Sequence, residues 1–366
     1  MKNAFSKILV LLLLVTLMVT ACAPKATPAP TVEATIVLTE APVVETEPTE
    51  EVLAPLDPVE KVTVAYVPIM KFAAVYVAKE GGYFEKQGLD VELISVKSGT
   101  EAIAFLGEGT VDVGGIAIVV SLWNGWASDL DLRIIAPGAL EPFENSPTIF
   151  LVRKDLVDDG SVKTVADLKG KTVAVAGGPG SGGEYLAAKA LERGGLSIFD
   201  VSLQNIGNAD IPAAFENKSI DAGLLGSPYA EQIIESGFAV ALEKDLTPGL
   251  MTVAFVGSDR FINERTEVAQ RFVLALMDAS RSMQGEGYFS DENIAAYMAY
   301  VATTPEDIKK GTPVIYDPNL TIEIEGLADV ERVHRENGRL EYTEPIDMSK
   351  VVNSTFIEWA LAQLDN

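Results

Sequence analysis

The order of apolar runs along the chain constrains the fold more than any other feature of the sequence. From about residue 60, short runs with the alternation of a strand are followed by runs with helical spacing. Lys61–Val67 is the first strand-like run, and Leu89–Val96 repeats the pattern after a helical stretch. Strands separated by helices form mainly parallel sheets with helices on their faces. The sequence therefore predicts an α/β fold.

The same order starts again about halfway along the chain. Asp167–Val175 reads as a helix end followed by a strand, and the helical run Gly182–Arg193 comes after it. The stretch Leu106–Asp112 has a counterpart at Phe215–Asp221, because in each a helix end, a turn and a strand start follow one another. This echo is compatible with two lobes of similar architecture.

Two apolar runs are placed where a chain would pass between such lobes. They are Pro147–Val152 and Leu250–Val256. We predict that residues 60–150 and 253–366 form the first lobe and that residues 151–252 form the second. The length of the folded region suits two domains of ordinary size.

The amino-terminal segment has the features of a bacterial lipoprotein signal. Met1–Ala21 carries Lys2 and Lys7 before the apolar stretch Ile8–Val19, which is too short for a permanent membrane helix. Small residues precede Cys22, the position that would receive the lipid. An ordinary secretory signal is the alternative. We predict cleavage before Cys22 and lipidation of its thiol.

Residues 22–59 are predicted to be a disordered tether. Pro, Thr and Glu are frequent there, and the repeated prolines are incompatible with a continuous helix or sheet. Cys22 is the only cysteine of the chain, so no disulfide framework is available. The net charge of −25 and the lack of a basic stretch make nucleic acid an improbable partner.

Four segments are predicted to line a cleft, because loops at the carboxyl ends of parallel strands form crevices beside helix N-termini. They are Pro68–Phe72, Ser98–Glu101, Gly114–Ile116 and Gly177–Glu184. The last segment is rich in glycine, which lets the backbone approach a ligand closely. It is not a phosphate-binding Walker loop, because no Lys-Ser/Thr pair follows it.

Two of these segments pair a serine with a glutamate at the spacing of a capping box. Ser181 precedes Glu184, and Ser98 precedes Glu101. The serines either cap helices alone or also face a solute. A carboxylate in the first turn offsets the positive end of the helix dipole that an anion would use.

The charges near the predicted cleft bear on the kind of solute. The glycine-rich segment contains no Lys or Arg to offset its glutamate. This balance favours a neutral or amine-bearing nitrogen heterocycle over a sulfonate or nitrate. Lys71 and Lys97 are the exceptions, because either would restore positive charge if it entered the cleft from the first lobe.

A family resemblance adds to this interpretation. The run Phe72–Phe84, followed by Gly88–Val91, resembles the first βα segment of solute-binding proteins for aliphatic sulfonates, taurine, nitrate and thiamine precursors. The similarity continues in the same order through Asp167–Val175, Ala213–Glu216, Ser219–Asp221 and Ser227–Tyr229. These motifs are specific for the family and weakly informative about the ligand.

The resemblance implies a periplasmic-binding-protein fold of type II, with two α/β lobes, two hinge crossings and the solute between the lobes. It also implies an extracytoplasmic protein that works as a monomer with the permease and ATPase of an ABC importer, without a cofactor. The candidate ligand-binding residues are Met70, Phe72, Tyr76, Ser98, Gly99, Thr100, Gly114, Gly115, Ile116, Gly180, Ser181, Gly182, Glu184, Pro228 and Tyr229.

Several alternatives stay open at this stage. Phe72 and Tyr76 are equally compatible with the core of the first helix, and the pair Trp123 and Trp126 favours core packing. His334, the only histidine, is surrounded in sequence by charged residues and is interpreted as part of a solvated helix face. The family has enzyme relatives that make pyrimidines, but neither a metal cluster nor a nucleophile–base arrangement can be assembled here. A membrane-anchored solute sensor is a further alternative.

Overall fold

The computed structural model of the chain describes residues 53–96, 99–226 and 229–364. The predicted signal peptide, Cys22 and most of the predicted tether lie outside these residues, as do Ser98 and Pro228. The described strands are β1 Glu60–Tyr66, β2 Leu89–Ser95, β3 Val113–Ala117, β4 Leu132–Pro137, β5 Ile149–Arg153, β6 Thr172–Val175, β7 Ser202–Asn205, β8 Ala222–Leu225, β9 Ala239–Glu243 and β10 Val253–Ser258.

The described helices alternate with these strands in the first two thirds of the chain and dominate the last third. They are α1 Ala73–Glu80, α2 Tyr83–Lys86, α3 Gly99–Gly107, α4 Val120–Ala127, α5 Lys154–Asp158, α6 Gly182–Glu192, α7 Ile211–Glu216, α8 Tyr229–Glu235, α9 Asp259–Asn263, α10 Thr266–Ser282, α11 Asp291–Tyr300, α12 Pro305–Lys310, α13 Ile324–Glu336 and α14 Thr355–Leu364. None of these helices is both long and apolar enough to cross a bilayer.

The strands form two five-stranded sheets with equivalent topology. The first sheet has the order β2-β1-β3-β10-β4, and the second has the order β7-β6-β8-β5-β9. In each sheet four strands run in one direction and one runs against them, namely β10 in the first and β5 in the second. The predicted two-lobed α/β fold with mainly parallel strands is confirmed.

The antiparallel strand of each sheet is the one that follows a passage of the chain between sheets. The first crossing segment, residues 138–148, leads from β4 into β5, and the second, residues 244–252, leads from β9 into β10. The two apolar runs predicted to cross therefore contribute mainly to β5 and β10. The predicted lobe boundary after Phe150 falls inside β5, because the whole of that strand pairs within the second sheet.

The similar stretches Leu106–Asp112 and Phe215–Asp221 make the same kind of hydrogen bond in the two sheets. Asp112 Oδ2 accepts from the backbone N–H of Thr63 at 2.9 Å, and Asp221 Oδ2 accepts from the backbone N–H of Thr172 at 2.9 Å. In both sheets the carboxylate just before the third strand of that sheet in chain order thus binds the backbone of the first, at Thr63 within β1 and at Thr172 at the start of β6. The two aspartates are also paired with Arg265 and Arg153, respectively.

Helix α13 connects the two sheets through their shared core. Leu327, Val330 and Val333 of this helix are buried in a cluster that includes Val256 of the first sheet and Val173 of the second. Apolar residues at intervals of three give α13 one buried face. A helix from the last third of the chain is therefore part of the contact between the lobes.

The same cluster holds the tryptophan pair of α4. Trp123 and Trp126 are both fully buried, with ring centroids 5.2 Å apart in an edge-to-face arrangement. Trp126 Nε1 donates to the Leu132 carbonyl oxygen at 2.8 Å. The predicted core role of the pair is confirmed.

Candidate functional site

The loops that follow β3 and β6 meet and bring the two lobes into contact across the predicted cleft. The sharpest contact across it joins the start of α4 to the glycine-rich segment before α6. The Val120 N–H donates to the Gly180 carbonyl oxygen at 3.3 Å, and a Cβ added at Gly180 would lie 2.8 Å from Val120 Cγ2. The lobes therefore touch at the mouth of the cleft, where only a glycine allows the approach.

The segment Gly177–Glu184, named here the glycine loop, turns tightly into α6. Gly177, Gly178 and Gly180 have φ values of 91°, 69° and 77°, which are strained for any other residue. Ser181 caps the helix, since its Oγ accepts from the Glu184 N–H at 3.2 Å. The predicted capping role of Ser181 is confirmed, and Ser98 lies outside the described residues.

Gly182 and Gly183 differ in the space around them. A Cβ added at Gly182 would meet no atom within 4 Å, whereas one added at Gly183 would lie 2.5 Å from the Ala176 carbonyl oxygen. Gly183 is thus required by packing inside the loop, and Gly182 faces open space. Among Gly177, Gly178, Gly180, Gly182 and Gly183, Gly182 is thus the one at which an added Cβ would meet no atom within 4 Å.

The glutamate of the glycine loop is not available to a solute. Glu184 is fully buried, and its carboxylate accepts from Arg339 Nε at 2.9 Å and from Arg339 Nη2 at 2.8 Å. It also accepts from the Gly180 N–H at 3.2 Å. The glycine loop itself contains no base, as the sequence shows, but an arginine 155 residues away in the chain compensates Glu184.

His334 lies beneath the same helix and not on a solvated face, so that interpretation is wrong. The imidazole is fully buried, 6.1 Å from the Tyr185 ring of α6, and neither nitrogen has a hydrogen-bond partner. Burial, with a smaller contribution from Arg339, lowers the pKa of His334 to about 4, against the opposing effect of Glu184. The ring is therefore neutral at ordinary pH.

The contact between α6 and α13 continues as an ion-pair network. Tyr185 Oη donates to Asp329 Oδ2 at 2.9 Å, and Lys189 Nζ lies 3.0 Å from the same oxygen. Arg332 reaches both Asp329 and Glu192, at 2.6 and 3.3 Å. Burial and the nearby Asp329 carboxylate raise the pKa of the Tyr185 hydroxyl well above its usual range.

Phe72 and Tyr76 belong to the core of the first lobe. The Phe72 ring lies 5.7 Å from that of Phe255, and Tyr76 stacks on Tyr300 with centroids 4.9 Å apart. Both predicted ligand contacts are fully buried among apolar residues. Met70 is half-buried beside them in the 3₁₀ turn Met70–Phe72 and packs against the same core.

Gly114, Gly115 and Ile116 lie inside β3 and not in a loop after it, which corrects their predicted position. The strand extends to Ala117 because β1 and β10 pair with it on its two sides. Gly115 is needed there because an added Cβ would lie 3.0 Å from the Phe72 ring. The loop that reaches the cleft is the one after Ala117.

The remaining candidates begin helices. Gly99 and Thr100 start α3, with Gly99 half-buried and Thr100 exposed. An added Cβ at Gly99 would lie 2.9 Å from Ile116 Cγ2. Tyr229 starts α8 and is half-buried against the second-lobe core, and Pro228 before it lies outside the described residues.

The floor of the cleft contains a feature that the sequence indicated only in part. Lys71, in the first turn after β1, donates to Glu141 on the first crossing segment and to Thr252 Oγ1 on the second, at 2.9 Å in the latter case. Lys71 therefore joins the turn after β1 to both crossing segments, and its ammonium group is already paired. Within the described residues no group of three or more His, Cys, Asp or Glu side chains is placed to hold a metal ion.

The comparisons with known proteins agree with this architecture. A sequence model described as NMT1/THI5 like matches residues 69–286. A riboflavin-binding protein of Chloroflexus aurantiacus is 26% identical over 274 residues, which cover 74% of this chain and 72% of the relative. The crystal structure of the periplasmic aliphatic sulphonate binding protein of Escherichia coli superposes with a TM-score of 0.62 at 20% identity, covering 81% of this chain and 92% of the other.

Other matches are shorter or differ in activity. A Brucella abortus protein that carries only the general designation of a binding protein is 26% identical over 213 residues, 56% of this chain. The match spans 60% of that relative's length. Enzymes also occur among the matched proteins, including a pyrimidine synthase and a desulfurization enzyme. Because the family match covers more than half of the sequence, the chain belongs to the NMT1/THI5-like family.

Proposed function

We propose that this chain captures a small organic solute between its lobes and delivers it, as a monomer, to the permease and ATPase of an ABC importer. The observation that carries the proposal is the position of Gly182. It starts α6 at the cleft, faces open space, and belongs to the loop that touches Val120 of the other lobe. The relatives that bear the designation of binding proteins support the same function.

Binding fits the described residues better than catalysis does. His334 is buried beneath α6 with both nitrogens unpaired, and Cys22, the only cysteine, precedes the folded region. The described cleft loops thus offer neither imidazole nor thiol to a reacting group. This supports a role in capture and release.

The proposed solute is a nitrogen heterocycle such as a vitamin or its precursor, with a sulfonate or nitrate as the alternative. Because Arg339 neutralises Glu184, the argument against an anion at the glycine loop loses its main support. The long alignment with a riboflavin-binding protein favours the heterocycle. The fold shared with a sulphonate-binding protein supports the alternative solute, a sulfonate or nitrate.

The chain is proposed to act outside the cytoplasm, held to a membrane through Cys22. The small residues before Cys22 and the proline-rich stretch after it support a lipid anchor with a long tether. We expect Cys22→Ser to release the protein from membranes or to leave an uncleaved precursor. Membrane fractionation and the intact mass of the amino terminus test this, and wild-type protein that is wholly soluble and carries no lipid mass contradicts it.

Gly182→Val is expected to weaken solute binding at least about tenfold while the protein stays folded. The branched side chain would enter the open space at the start of α6 that the proposed solute occupies. Such overpacking against the bound solute costs about 1–3 kcal/mol. The measurement is calorimetric titration with riboflavin, thiamine, taurine, ethanesulfonate and nitrate, with thermal melting to confirm folding.

Gly107→Val is the matched control for that experiment. Gly107 ends α3, is exposed, and an added Cβ there would also meet no atom within 4 Å. Binding by the control should equal that of the wild type. Equal affinity of the Gly182 variant and the wild type for the bound probe would mean that the glycine loop is only a helix cap, and the proposed site would be wrong.

A further inference from the structure

The ammonium group of Lys71 joins three parts of the fold by hydrogen bonds. Lys71 lies in the turn after β1, Glu141 on the first crossing segment and Thr252 on the second. Lys71 Nζ donates to Glu141 Oε1 and to Thr252 Oγ1. The crossing segments also pair directly at this level, since the Glu141 N–H donates to the Leu250 carbonyl oxygen at 2.9 Å. The group is therefore rigidly built and sits where both lobes meet.

The two oxygens of the Glu141 carboxylate differ in their hydrogen-bond partners. Oε1 accepts a hydrogen bond from the Lys71 ammonium group and lies 3.4 Å from the Thr252 hydroxyl oxygen. Oε2 is buried, and no described residue donates a hydrogen bond to it. The residue as a whole is 2% exposed. A buried polar atom left without a partner is destabilising, and more so when it is charged, so native proteins keep few of them.

The described surroundings leave this oxygen enclosed and without a donor. Val120 and Gly180 meet across the predicted cleft. Lys71 remains 22% exposed in its side chain, whereas that of Glu141 is 3% exposed. An acceptor enclosed in this way suits a donor that arrives with a bound molecule before the lobes close.

We propose that Glu141 is a specificity-determining residue whose Oε2 accepts a hydrogen bond from an N–H or amine group of the solute. The inference rests on the proposed function and selects between its two solute classes. Lys71 offsets the charge of the carboxylate, so a neutral N–H donor suffices and a full cation is not required. Nitrate, or a sulfonate without an amine such as ethanesulfonate, has no donor to offer and would face a carboxylate at short range.

Glu141→Gln tests this with little change in shape. The glutamine amide keeps an oxygen for Lys71 and Thr252 and replaces the free acceptor with an NH₂ donor. Titration with thiamine and riboflavin should show at least about a tenfold loss of affinity, as expected for a hydrogen bond to a charged group. Ethanesulfonate and nitrate, which carry no N–H donor, should bind the variant no more weakly than they bind the wild type.

Glu144→Gln is the control. Glu144 is exposed on the same crossing segment, and its substitution by glutamine changes the net charge by the same amount as Glu141→Gln does. It should leave every affinity unchanged, and thermal melting should show both variants folded. Unchanged binding of thiamine or riboflavin by the Glu141 variant overturns the inference. Wild-type protein that binds ethanesulfonate or nitrate but neither heterocycle also overturns it while the proposed function stands, and wild-type protein that binds no probe overturns both.

Discussion

Arg339→Met is expected to lower the free energy of unfolding by about 3–5 kcal/mol. The change removes the guanidinium that donates twice to Glu184 and leaves a fully buried carboxylate with only backbone donors. Such a lone buried charge is strongly destabilising, because its desolvation is no longer offset. Urea denaturation followed by circular dichroism measures the loss.

The double variant Glu184→Gln with Arg339→Met identifies the cause. Glutamine carries no charge, so the double variant should recover much of the stability that the arginine change removes. Arg260→Met is the surface control, because Arg260 and Glu264 are both mostly exposed and their atoms lie 3.8 Å apart. A loss below about 1 kcal/mol for Arg339→Met would show that Glu184 does not depend on it.

Acidification from pH 7 to pH 4 is expected to cost about 3 kcal/mol of stability through His334 alone. The pKa of His334 is lowered from 6.5 to about 4 in the folded state, chiefly by burial. Between pH 6.5 and about pH 4, His334 is therefore mostly protonated in the unfolded chain and mostly neutral in the folded chain. The contribution is intact above pH 6.5, falls as the pH drops, and is fully lost below about 4.

His334→Leu isolates this contribution from the many carboxylates that titrate in the same range. Leucine fits the apolar contact with Tyr185 and cannot take up a proton. The variant should lose about 3 kcal/mol less than the wild type between pH 7 and pH 4, as measured by urea midpoints at both values. Parallel losses in the two proteins would mean that His334 becomes protonated without difficulty in the folded state.

The fold was largely predictable because its signals are local. Short apolar runs of strand length located β1, β2, β6 and β8, and the similarity around Asp112 and Asp221 indicated two equivalent sheets. The error at β3 has a simple cause. Gly114 and Gly115 were interpreted as a turn, but partners on both sides of the strand keep the backbone extended through them.

The site was harder to predict because its central interactions are distant in sequence. Nothing near the glycine loop indicates Arg339, and nothing near Lys71 indicates Glu141. His334 could have been placed correctly. With Leu327 and Val330 it forms an i, i+3, i+7 series, which identifies the buried face of α13 despite the charged residues around it.

Native mass spectrometry of the purified full-length protein tests the central claim most directly. If the cleft captures a small solute, spectra under gentle conditions should contain a 1:1 noncovalent adduct. The adduct should disappear on denaturation, and its mass should identify a compound that rebinds the stripped protein. The account predicts a nitrogen heterocycle with an N–H donor, retained by the wild type and lost from the Gly182→Val variant. A protein that carries no adduct, and that binds none of riboflavin, thiamine, taurine, ethanesulfonate and nitrate when they are added back, would contradict it.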